Sequence, residues 1–154
     1  MDAIQMLKAD HDKVKDLLAR LEKTTERGEK TREELFATIK GELTVHETIE
    51  EEIFYPALKE HPKAKELVLE GYEEHHVVDT VMAELEGLDV SDETWGAKAT
   101  VMKENVEHHI EEEEREMFAQ ARKVFDKTEL DELGARMAER KTSAQQELGV
   151  PVRS

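Results

Sequence analysis

Two stretches of this chain pair a histidine with a glutamate four residues on: HETIEEEIFYP from His46 to Pro56, and HIEEEEREMFA from His109 to Ala119. Each runs on through more acid into large apolar residues. On an α-helix, positions i and i+4 lie one above the other on one face. His46 with Glu50, and His109 with Glu113, therefore each form a nitrogen-plus-carboxylate pincer. Two such pincers on facing helices can build a metal site that neither holds alone.

The elements that must position them read as helices. The first runs from about Asp2 to Lys23, with Ile4, Leu7, His11, Val14, Leu18 and Leu21 spaced three and four apart, a heptad seam containing a histidine. TTERGEKT breaks it at Gly28, and Thr31 with Glu34 reads as a capping box for the next helix. That helix carries Phe36, Ile39, Leu43, His46, Glu50, Ile53 and Ala57, with Pro56 placed to kink its last turn. His61-Pro62 opens a third helix to about Leu88, striped by Val68, Tyr72, His75, Val78, Met82 and Leu85. GLDVSDET is a loop with Ser91 or Asp92 as N-cap. A fourth helix, about Thr94 to Phe125, carries Ala99, Met102, Val106, His109, Glu113 and Met117. A shorter amphipathic helix follows from a Thr128 cap through Leu130, Leu133 and Met137, and VPVRS reads as a frayed tail. The fold class is all-α: an up-down-up-down four-helix bundle with a short C-terminal helix. Residues 1–125 form the metal-binding unit, and 126–154 a short helix and tail packed on it or trailing it.

Composition agrees. At 154 residues with 39% charged residues and only three prolines, the chain is one helix-favouring domain. A net charge of −16 argues against nucleic-acid or anionic-membrane partners, which require positive surface. The absence of cysteine excludes disulfides and thiolate metal sites. No secretory leader and no apolar run of bilayer length is visible, so the expected location is cytoplasmic. No DNA-binding or signalling segment is attached, which disfavours a self-contained sensor.

Each of the four seams contains one histidine: His11, His46, His75 and His109. Chance would achieve this about 3% of the time, given that two heptad positions in seven face a core. His75 rather than His76, and His109 rather than His108, falls in line with the apolar stripe. Glu50 and Glu113 weigh more, because a buried carboxylate costs several kcal/mol unless paired or coordinated, and no lysine or arginine shares those stripes. Imidazole and carboxylate without thiolate suit iron or zinc, and paired carboxylates favour two metals. Val14, Leu17, Leu18 and Leu21 after His11 match Val78, Val81, Met82 and Leu85 after His75, so the chain reads as two related helix pairs and a pseudo-two-fold site. Alternating helix directions put the ligands in one layer.

The pattern resembles the hemerythrin-like family of HHE cation-binding domains over about Met1 to Val124. The resemblance rests on His11 in helix one, HETIEEEIFYP, EEHH in helix three and HHIEEEEREMF. It implies a non-haem di-iron centre with carboxylate and oxo or hydroxo bridges, in which His11 and His46 ligate one iron, His75 and His109 the other, and Glu50 and Glu113 bridge. Oxygen-carrying members have a further histidine where Asp79 stands, and a longer histidine-to-aspartate spacing in helix four. Open positions are left to water, Glu47, Asp79, Tyr55 or Tyr72. The expected function is a di-iron protein that reacts with or senses oxygen, peroxide or nitric oxide. Reversible oxygen binding or iron storage, zinc as occupant, and a purely structural bundle are the alternatives. Ferritin-like sites need two E-x-x-H motifs and zinc peptidases H-E-x-x-H, and neither pattern is met.

Overall fold

The computed structural model describes residues 1–25 and 27–150. The described residues form five helical rods and no strand. Helix α1 is Ala3–Glu22. Helix α2 spans 29–59 as Glu29–Ile49, a π-turn Glu50–Phe54, and Tyr55–Lys59. Helix α3 is Pro62–Glu86. Helix α4 spans 93–124 as Glu93–Glu112, a second π-turn Glu113–Met117, and Phe118–Val124. Helix α5 is Lys127–Leu148. The expected tail lies, for 151–154, outside the described residues.

Helix starts obey local chemistry. Asp2 caps α1 in a capping box with Gln5, which satisfies backbone N–H groups that the first turn leaves without partners. Asp92 caps α4 through the Thr94 amide, and Pro62 sits in the first turn of α3. Two expected caps are displaced. Helix α2 begins after Gly28, before the Thr31–Glu34 pair, with no side-chain cap. Helix α5 begins one residue before Thr128, because Asp126 with Glu129 makes the capping box there, and it runs for 22 residues to the left-handed Gly149.

The interior has two apolar clusters. One holds Ile4, Leu7, Phe54, Tyr55, Val68, Phe118, Leu133 and Met137, and so includes α5. The other holds Val14, Leu18, Ile39, Leu43, Val78, Met82, Trp95 and Met102. The histidine seams pass between them, so the polar layer has an apolar cluster on each side. Among the described residues no helix is long and apolar enough to cross a membrane.

Candidate metal centre

His11, His46, His75 and His109, one per bundle helix, are all buried, and Glu50 and Glu113 are 0% and 2% exposed. One donor atom from each of His11, His46, Glu50 and Glu113 lies within 4.8 Å of the others, and the same holds for Glu50, His75, His109 and Glu113. The two glutamates are common to both groups. His76 and His108, the other members of the doublets, are exposed.

The Nε2 atoms face the glutamates. His46 Nε2 and His75 Nε2 both lie 3.1 Å from Glu50 Oε1. His11 Nε2 is 3.1 Å from Glu113 Oε1, and His109 Nε2 is 3.2 Å from Glu113 Oε2. Nevertheless His11, His46 and His109 Nε2, Glu50 Oε2 and Glu113 Oε1 have no hydrogen-bond partner. An unpaired buried polar atom costs roughly 1–3 kcal/mol. Five of them amount to a sizeable part of a domain's stability of about 5–15 kcal/mol. Imidazolium–carboxylate attraction offsets part of this. Burial alone would lower the histidine pKa values. At His46 burial is the largest single influence, but the Glu50 and Asp10 carboxylates together, by charge and hydrogen bond, outweigh it and hold the imidazole well above its usual range. At His109 the charge and hydrogen bond of Glu113, with the hydrogen bond to Glu74, together do the same, and against burial the hydrogen bonds to Glu50 and Glu51 with the nearby carboxylate charges bring His75 to about 9. Glu113 is held well below the usual carboxylate range, because the His109 charge and the hydrogen bonds to Glu50, His109 and His11 together override burial. A cation in this layer would replace those protons, and the donor set of imidazole nitrogens and carboxylate oxygens fits one.

Every Nδ1 is held from outside the layer. His46 Nδ1 donates to Asp10 (2.9 Å), His11 Nδ1 to Glu114 (2.7 Å), His75 Nδ1 to Glu51 (2.7 Å) and His109 Nδ1 to Glu74 (2.7 Å). Such contacts fix the tautomer and ring orientation and raise the basicity of Nε2. These four acids are absent from the sequence expectation. The signal was in the duplication: Asp10 and Glu74 each precede a seam histidine, and Glu51 and Glu114 each follow a seam glutamate. Every one of these contacts crosses between helices, which intra-helix spacing does not reveal.

The two π-turns start at Glu50 and Glu113. The Tyr55 amide bonds the Glu50 carbonyl and the Phe118 amide bonds the Glu113 carbonyl, five residues back in each case. Such turns recur at functional sites and rotate the rest of the helix by the angle of one extra residue. Pro56 comes just after the first turn but Ala119 occupies its place after the second, so proline is not the cause. The turns carry Tyr55 and Phe118 onto the layer, where Tyr55 stacks on His75 (5.4 Å, 20°) and Phe118 on His11 (5.8 Å, 4°). The Tyr55 hydroxyl donates to Glu113 Oε2 at 2.6 Å and lies 3.4 Å from His75 Nε2. Gly71 makes room for it, since a Cβ there would be 2.8 Å from the Tyr55 hydroxyl.

Of the other residues considered for open positions, Tyr72 donates to the Glu51 carbonyl at 3.3 Å, away from the glutamate pair. Asp79 is exposed on α3. Glu47 is buried and lines a cavity of about 20 Å³ beside the layer, with His11, His46, His75, His109 and apolar side chains. Burial and the neighbouring Asp79 and Glu51 carboxylates, against the pull of His75, raise its pKa to about 9.

The hemerythrin HHE cation binding domain profile matches residues 2–121. The solved structure of a hemerythrin HHE cation binding domain-containing protein from Mycobacterium kansasii superposes with a TM-score of 0.85 at 29% identity, over 96% of this chain and 89% of that one. Among curated proteins none matches. Matched along most of its length and built on the same helical frame, the chain belongs to the hemerythrin HHE cation-binding domain family.

Proposed function

We propose that this cation-binding domain holds two iron ions, one between His11 and His46 and one between His75 and His109, with Glu50 and Glu113 spanning both. Its role in this reading is to react with oxygen, peroxide or nitric oxide. The observation that carries the reading is the set of orphaned buried Nε2 and carboxylate atoms converging in one layer, while every Nδ1 is tied to an acid. Imidazole and carboxylate in this ratio suit iron, with zinc the less favoured occupant. Iron bound there supplies one-electron redox chemistry and Lewis acidity toward a small ligand.

The protein's part is to select the ligand and handle protons. The cavity of about 20 Å³ has room for something the size of a water or a diatomic molecule, and not for an organic substrate. Half of its lining is apolar (Val14, Leu43, Val78, Val106 and Ile110). Glu47, which burial and the Asp79 and Glu51 carboxylates keep neutral up to a pH of about 9 in the metal-free chain, places its carboxyl group at that cavity. Tyr55 presents a hydroxyl proton at Glu113 Oε2. Proton donors beside a small-ligand cavity favour reduction of oxygen or peroxide over reversible carriage. The net charge of −16 supports a small-molecule partner and no nucleic acid.

The test is iron loading followed by metal analysis and optical spectra before and after oxygen, peroxide and nitric oxide. Close to two irons per chain, charge-transfer absorption and peroxide loss are expected. One tightly bound zinc with no iron uptake would overturn the reading.

A further inference from the structure

Helices α1–α4 form two related pairs, but α5 has no counterpart. It packs against α1, α2 and the first π-turn. Beside its apolar seating through Leu133 and Met137, two further contacts mark its register. Arg140 grips Glu52 of that π-turn with two bonds, Nε to Oε1 at 3.0 Å and NH2 to Oε2 at 3.1 Å. Gly134 lies against the start of α1, where a Cβ would be 2.5 Å from the Met1 carbonyl oxygen. Lys141, one residue beyond Arg140, then reaches Asp10: Nζ donates to Oδ1 at 2.7 Å. Asp10 Oδ2 accepts from His46 Nδ1 at 2.9 Å, and His46 Nε2 faces Glu50. A cation on the fifth helix is thus linked through one carboxylate to one histidine of the layer.

The other outer carboxylates differ. No lysine or arginine among the described residues makes an ion pair with Glu51, Glu74 or Glu114. Glu74, the counterpart of Asp10, faces His109 on one side and clusters with Glu112 and His108 on the other. An outer carboxylate strengthens a histidine ligand by raising its basicity. A lysine on the same carboxylate withdraws that effect, and adds positive charge on the side where a cation would sit.

We propose that Lys141, acting through Asp10 as a positioning residue, makes the two metal positions unequal, so that the His11–His46 position holds its cation more weakly than the His75–His109 position. This rests on the two-metal reading above. The fifth helix thereby sets the order of filling: the His75–His109 position loads first, and the ion beside His46 is the exchangeable one.

The test is calorimetric titration of the metal-free full chain with cobalt(II), alongside melting curves. Wild type is expected to take two ions in two resolved steps, with His11→Ala removing the weaker step and His75→Ala the tighter. Lys141→Met should tighten the weaker step about tenfold, the low end of the range for outer-shell changes, and leave the tighter step where it was. Lys141→Arg, which keeps the charge, should titrate like wild type. In an Asp10→Asn background Lys141→Met should change neither step. If Lys141 only fastens α5, Lys141→Met will lower the melting temperature without moving the steps, and the proposal fails. It fails too if both steps move together, or if the effect persists without the Asp10 carboxylate. Two ions bound in equal steps overturn this proposal alone, whereas fewer than two ions overturn the two-metal reading with it.

Discussion

The two halves of the metal layer are alike where a cation would be held and different where a small ligand would be handled. Adding 64 to α1 positions and 63 to α2 positions, the offsets from His11 to His75 and from His46 to His109, brings one half onto the other. Under those offsets Glu50 falls on Glu113, Asp10 on Glu74, and Glu51 on Glu114, and both π-turns coincide. The ten cavity-lining residues form five pairs: His11 with His75, Val14 with Val78, Leu43 with Val106, His46 with His109, and Glu47 with Ile110. Four pairs keep the same character, and the fifth sets a carboxyl against an isoleucine. Across the layer Tyr55 faces Phe118, so only one half has a hydroxyl there. Gly71, which admits that hydroxyl, replaces Leu7. On the proposed reading the symmetric parts hold the cations and the asymmetric parts supply protons. That division teaches which changes should empty the site and which should leave it full but slow.

The largest effect is expected at the residues that both halves share. Glu50→Ala or Glu113→Ala should drop iron from near two per chain to below one, whereas Glu112→Ala, one residue away and half-buried on the outer side, should leave it unchanged. Equal losses in all three, by metal analysis, would break the shared-glutamate assignment. Next comes the broken cavity pair. Glu47→Ile makes the two sides match and removes a buried acid, so iron content should hold while peroxide consumption slows by about 100-fold, the low end for a lost general acid. Unchanged consumption would remove Glu47 from the chemistry.

Tyr55→Phe should slow the same reaction about tenfold, as expected for loss of a contact to Glu113 if that carboxylate holds metal as proposed. Phe118→Tyr in that background tests whether the hydroxyl works from either half; no rescue would show that the space opened by Gly71 is essential.

The smallest effect is a pH dependence of the metal-free protein. His75 has a folded pKa of about 9 against an ordinary value of 6.5, so its stabilising pairing is complete below 6.5 and is lost as pH rises through about 9. Glu47, also near 9, is buried neutral and adds to the same decline, because ionising it in place is unfavourable. The melting temperature of the metal-free chain should fall steadily from about pH 6.5 to about 9. Metal affinity should rise over that window, because the ion no longer competes with protons on the imidazoles. A flat metal-free curve would mean that these groups titrate normally.

Much of the site was legible because helix geometry is local. A spacing of four places His46 with Glu50 and His109 with Glu113 on one face whatever surrounds them, and an apolar stripe selects His75 over His76 and His109 over His108. Caps were less legible: the Thr31–Glu34 pair is locally sound, yet Gly28 starts the helix. The π-turns left no mark in the three-and-four periodicity, since one five-residue hydrogen bond shifts the later residues without disturbing the stripe before it.

The helices, the seams and the duplicated pincers follow from local sequence, and with them the imidazole and carboxylate donors that the interior offers a cation. Those properties depend on residues within about one turn of each other, where backbone geometry fixes who meets whom. Packing of the rods sets the rest: which acid holds which histidine, that Glu47 enters the cavity, that Tyr55 reaches Glu113, and that Lys141 reaches Asp10 from 131 residues away. Those contacts join different helices, and their distances are set by how the rods pack.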